Sequence, residues 1–105
     1  MDRTAAIARL AARLRDASAR ADWDLLERAV RELGPQVQAL AGRGIWSEPE
    51  RTALADLRAA HDGAASASAE AAMQLEAQLA GMRDNKEGWM AYALAGELES
   101  GSTPQ

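Results

Sequence analysis

The feature that most constrains the fold is a run of apolar residues spaced alternately three and four positions apart. In a helix this spacing places every member on one face, as in the seam of a coiled coil. We therefore expect a helix that buries this face against other helices. The members of the run are Trp23, Leu26, Val30, Leu33, Val37 and Leu40.

The rest of the composition favours helices as well. The 105 residues contain no Phe and one Tyr, and much of the 48% hydrophobic content is alanine. Alanine is the best helix former, whereas sheets are built mainly from β-branched and aromatic residues. This length suits one domain with a modest core. The sequence predicts an all-α protein.

Local signals place the first two helices. Apolar residues at helical spacing predict a first helix from about Thr4 to Arg20. Asp22 is suited to cap a second helix that begins at Trp23. Pro35 interrupts the seam chemically, but the seam keeps its phase, so we prefer a kink there to a full stop. A new helix with Pro35 in its first turn would also satisfy the pattern.

A long third helix is expected after a glycine-rich turn. Ser47 and Glu50 form a capping-box pattern, which predicts a helix start near Glu48. Between Arg58 and Ala72 the apolar stripe of this helix holds no large apolar side chain. We expect that part to pack tightly against another backbone, with loose packing as the alternative. The whole stripe consists of Leu54, Leu57, His61, Ala64, Ser68, Ala72, Leu75, Leu79 and Met82.

The polar run Asp84–Gly88 is interpreted as a break, followed by a short fourth helix that carries Trp89 and Tyr92. The predicted fold is an antiparallel three- to four-helix bundle with a long third helix and a short C-terminal fourth helix. We expect residues 1–99 to form a single helical domain and residues 100–105 to form a disordered tail.

Several classes of function are disfavoured. A net charge of −4 opposes nucleic-acid binding, and no segment is long and apolar enough to span a membrane. Without cysteine, and with one histidine, the chain lacks the usual nucleophile pairs and metal-ligand sets. We therefore expect a cytoplasmic protein that is not an enzyme and has no cofactor, metal or catalytic residue.

The three tryptophans are the best candidates for anchoring a core or a partner. We expect Trp23 in the core and Trp46 at one end of the bundle. Trp89 and Tyr92 share a helical face after the predicted hinge, so their helix either completes the bundle or detaches to cover or expose an apolar groove.

The segment Ala21–Glu27, which reads Ala-Asp-Trp-Asp-Leu-Leu-Glu, resembles the start of the second helix in FliT-type flagellar export chaperones. The segment Leu75–Leu79, the polar linker with Arg83 and Lys86, and the run Ala91–Ala93 are similar to that family's third helix and closing element. The resemblance covers most of the chain.

This resemblance implies a cytoplasmic chaperone that binds the C-terminal region of the filament-cap protein. It also implies contacts with the export ATPase complex or a flagellar transcription regulator. Leu75, Leu79 and Met82 would line the client groove, and Trp89 and Tyr92 would lie in the covering helix. A structural homodimeric bundle, or an adaptor that regulates a transcription factor, is the alternative, and a homodimer is expected in either case.

Overall fold

The chain consists of three α-helices in this computed structural model, which describes the backbone of residues 2–102 and the side chains of residues 2–96. Helix α1 spans Thr4–Ala19, α2 spans Trp23–Ala41 and α3 spans Glu48–Ser102. No strand occurs within the described residues. The all-helical prediction is confirmed.

Two side-chain caps fix the helix starts that the sequence predicts. The Leu25 backbone N–H donates to Asp22 Oδ1 at 3.1 Å, which caps α2. At the start of α3, the Ser47 N–H donates to Glu50 Oε1 at 2.8 Å, and the Glu50 N–H donates to Ser47 Oγ at 3.3 Å. Each bond satisfies an amide that lacks an intrahelical partner.

Helix α2 continues through Pro35 to Ala41, in agreement with the expectation that this proline does not end the helix. Pro35 has no N–H to donate to the carbonyl group of Arg31. Both residues are exposed, so that carbonyl group has access to water. Gly42 then terminates α2.

The predicted short fourth helix is wrong, because α3 runs without interruption to Ser102. The run Asp84–Gly88 contains no proline, and Asp, Asn and Gly cost at most about 1 kcal/mol each in a helix. Polar side chains are also compatible with a solvated helix face, so this run does not require a break. Residues 100–102 of the predicted tail continue α3, and residues 103–105 lie outside the described part of the chain.

The chain divides into two compact units, Met1–Glu70 and Ala71–Gln105. The first unit contains α1, α2 and the beginning of α3, and all three contribute to one core. Ala60 and Ala64 are buried there, as expected for tight packing in the alanine-rich part of α3. The buried core residues are Ile7, Ala11, Leu14, Ala17, Leu26, Ala29, Leu57, Ala60 and Ala64.

The described part of the second unit is a single helical segment of α3. Apart from Ala71, which is half-buried, every side chain between Ala71 and Gly96 is exposed. Large apolar side chains are among them, whereas side chains of the same kind on α1 are buried.

Candidate functional site

The candidate site is a row of exposed apolar side chains on α3, which we call the α3 stripe and define as Leu75, Leu79, Met82 and Trp89. At about 100° per residue these four side chains fall within about 80° of the helix circumference. Their exposed fractions are 55%, 48%, 67% and 73%, respectively. An exposed apolar row on one face of a helix has the chemistry that protein-docking surfaces share.

Tyr92 lies at the edge of the α3 stripe, about 60° around the helix from Trp89. The two rings meet edge to face, with centroids 6.5 Å apart and an interplanar angle of 79°. The pair presents a broad aromatic surface, because Trp89 and Tyr92 are 73% and 76% exposed. Gly88 adds no side chain beside them, which leaves a shallow concavity against the two rings.

The structure changes how the five predicted partner-binding residues relate to one another. Leu75, Leu79 and Met82 were predicted to line a groove that Trp89 and Tyr92 cover from a separate helix. All five instead lie on one continuous helix, α3. An arrangement with a groove and a separate covering helix is therefore wrong, and partner binding by these residues stays a prediction.

A second apolar surface, which the sequence analysis missed, lies in the first unit between α2 and α3. We call it the α2–α3 trough. None of its lining residues comes from α1. Its two parts meet at His61, whose side chain is 42% exposed. The trough is lined by Trp23, Leu26, Glu27, Val30, Arg31, Leu33 and Val37 from α2, and by Leu54, Leu57, Arg58, His61, Ala64, Ala65 and Ser68 from α3.

Small side chains form one end of the trough wall. Ala64, Ala65 and Ser68 stand opposite Trp23 and Val30, which leaves space between the two helices. Val30 is 39% exposed although it belongs to the predicted seam. Trp23 packs against the core but is only half-buried.

A buried arginine is the centre of a polar cluster that sequence reasoning also missed. The Arg3 guanidinium uses all five of its N–H donors. Nε and one terminal nitrogen donate to Glu50 at 2.7 and 2.9 Å, and the remaining bonds reach the carbonyl oxygens of Leu40, Gly44 and Ile45. The Arg3 backbone N–H also donates to Glu50 Oε2, at 3.0 Å.

Trp46 closes this cluster, as expected for a residue at one end of the helical unit. Its ring centroid lies 4.1 Å from Arg3 Cζ, which is a cation–π contact. Hydrogen bonds from Arg3, and then from Ser47, hold the pKa of Glu50 far below its ordinary value. The Arg3 pKa is raised, chiefly by the hydrogen bond to Glu50. The cluster joins the N-terminus to the α2–α3 loop and is structural.

Within the described residues, no three His, Asp or Glu side chains are grouped so that they could hold a metal ion. None of the described helical segments is long and apolar enough to cross a membrane. Comparison of the chain with protein-family models, with curated proteins and with solved structures finds no match in any of the three.

Proposed function

We propose that this chain is a non-catalytic protein that binds another polypeptide through the α3 stripe. The observation that supports this proposal is the exposure of four large apolar side chains, from Leu75 to Trp89, on one face of one helix. Transfer of such side chains out of water contributes roughly 25 cal/mol per Å² of apolar area. A complementary apolar surface on a partner would cover these side chains and remove them from water.

The partner chemistry that suits this surface is an amphipathic helix. The stripe covers only about 80° of the helix circumference, so a second helix can follow it through side chains at spacings of three and four. Trp89 and Tyr92 would add a large anchor at one end, because aromatic side chains contribute much of the binding energy in protein interfaces.

Within this class we propose a cytoplasmic flagellar export chaperone, with the C-terminal region of the filament-cap protein as the first client to test. The support is the sequence resemblance around Ala21–Glu27 and Leu75–Leu79. Because Trp89 shares α3 with Leu75, we expect it to bind the client and not to cover the site. A chain truncated after Gly88 should then bind more weakly than the full chain.

Isothermal titration of the purified chain with that client region tests the proposal. Leu79→Glu should weaken binding at least tenfold, because a carboxylate would have to lose its water on complex formation. Met73→Glu is the matched control: Met73 is 70% exposed on the opposite face of α3 and should tolerate the same change.

Two results would contradict different parts of the proposal. Absence of binding by the unaltered chain would rule out this client. Equal weakening by Leu79→Glu and Met73→Glu would show that the α3 stripe is not the binding surface. Tryptophan emission provides a second readout, because contact at Trp89 should shift emission to the blue, and Trp89→Phe should remove most of that shift.

A further inference from the structure

We propose that the α2–α3 trough of one copy of this chain receives the α3 stripe of a second copy, and that the exchange is reciprocal. This inference rests on the proposed function in using the same stripe, but it assigns a role to the trough and names its occupant. Each chain carries one trough and one stripe. The stripe is exposed, and in the trough Val30 is 39% exposed and Trp23 is half-buried.

The two surfaces match in length. On α2 the trough extends from Trp23 to Val37, and on α3 the stripe extends from Leu75 to Trp89. Each interval covers fourteen residue steps, or about 21 Å at 1.5 Å per residue. One helix can therefore lie along the other surface from end to end.

The two surfaces also match in side-chain size. The stripe presents large side chains, whereas the trough has Ala64, Ala65 and Ser68 along one wall. Small residues let a neighbouring helix approach closely, and large residues then fill the remaining space at the packing density of a protein interior. A fourth helix in this position would complete the three-helix first unit as a four-helix arrangement.

Charge does not drive this contact. The trough is lined by two arginines, Arg31 and Arg58, and by one acidic residue, Glu27. At about 100° per residue, one charged side chain, Lys86, falls within the arc of the α3 stripe. Both surfaces therefore carry a small positive charge, the contact between them is apolar, and added salt should strengthen it slightly by screening the repulsion.

A second copy is the proposed occupant of the trough because the exchange can be reciprocal. In a two-fold dimer each copy provides both surfaces, so the same contact forms twice and closes the assembly. This doubling helps a small chain reach the roughly 800 Å² per partner that a stable interface buries. A client that binds the stripe would then have to compete with the second copy.

Sedimentation equilibrium of the purified full chain, without any client, tests this inference. We expect a dimer that dissociates on dilution. Leu79→Glu in the stripe and Val30→Glu in the trough should each raise the dimer dissociation constant at least tenfold, and Met73→Glu should leave it within about twofold. Ala65→Glu is a second trough variant at an exposed position of α3, and it replaces Val30→Glu if that variant loses helical circular dichroism.

The outcomes separate this inference from the proposed function. A chain that stays monomeric at all concentrations overturns the exchange but leaves client binding to its own titration. If Leu79→Glu dissociates the dimer but a folded trough variant does not, the proposed role of the trough is overturned. The stripe of one copy would then pair with the stripe of the other. Weakening by both variants, with the control unchanged, supports the exchange.

Discussion

At the scale of single residues, Arg3 contributes more polar contacts than any other side chain described. Its guanidinium is bound by Glu50 and three backbone carbonyl groups and lies over the Trp46 ring. Removal of one member of a buried ion pair is costly, because the other charge remains without a partner. Arg3 therefore fixes the N-terminus against the start of α3.

This pair makes folding stability sensitive to acid. The pKa of Glu50 is lowered in the folded chain, so the stabilisation is complete above the ordinary carboxyl value of about 4.5 and is lost as the pH falls below it. Glu50→Gln should destabilise the protein at pH 7. It should also remove the proton uptake on unfolding, which approaches one proton as the pH falls below about 4.5. Urea unfolding at a series of pH values measures both effects.

Asp56→Asn is the matched control for this prediction. Asp56 pairs with Arg15, which lowers its pKa, but both side chains are at least half exposed. Water screens such a pair, so its loss should change the acid dependence less than the loss of Glu50. If Asp56→Asn reduced the pH dependence of unfolding as much as Glu50→Gln does, the role assigned to the pair of Arg3 and Glu50 would be contradicted.

A second residue-scale prediction concerns the turn between α1 and α2. Ala21 has a φ of 54°, which is costly for a residue with a Cβ atom. Ala21→Gly should raise the free energy of unfolding by about 1 kcal/mol, because glycine adopts this conformation readily. Ala12→Gly, at an exposed position within α1, should lower it by a similar amount. Urea midpoints that move in the same direction would refute this reasoning.

Sequence reasoning succeeds at residues whose partners are local. Asp22 bonds three residues ahead, and Ser47 and Glu50 bond to each other across one turn. Arg3 is different, because its side-chain partners lie between 37 and 47 residues away. No short pattern signals such a contact, which only the packed structure brings together.

At the scale of elements, α3 is the helix for which sequence reasoning was least reliable. The first part of the helix has core contacts at Leu57, Ala60 and Ala64, but its continuation from Ala72 to Gly96 is exposed. Helices obtain most of their stability from packing, so the continuation depends on residue propensities or on a partner. Three glycines, Gly81, Gly88 and Gly96, weaken it further.

Gly81→Ala tests how marginal this part of α3 is. A Cβ atom at Gly81 meets nothing within 4 Å, and position 81 lies away from the α3 stripe. The substitution should stabilise the helix locally by about 1 kcal/mol and slow amide hydrogen exchange between Ala72 and Gly96 about fivefold. Gly44→Ala should instead lower overall stability, because Gly44 has a φ of 124°. Unchanged exchange in Gly81→Ala would contradict this account.

At the scale of the whole molecule, the chain carries two apolar surfaces, the α3 stripe and the α2–α3 trough. Leu75, Leu79 and Met82 were predictable as one apolar helix face from their periodicity, whereas Trp89 was assigned to a separate helix. The trough was not predictable, since a seam such as Trp23–Leu40 does not tell which of its members the neighbouring helices will cover. Leu26 is buried and Val30 is 39% exposed, although both belong to that seam.

Both proposals require the α3 stripe to contact another polypeptide, either a client or a second copy. Site-specific photo-crosslinking in the native cells measures this most directly, with benzoylphenylalanine placed at position 79 in one variant and at position 73 in the other. We predict a crosslinked product from position 79 and at least a fivefold lower yield from position 73. Equal yields from the two positions, or no product from position 79, would contradict the claim.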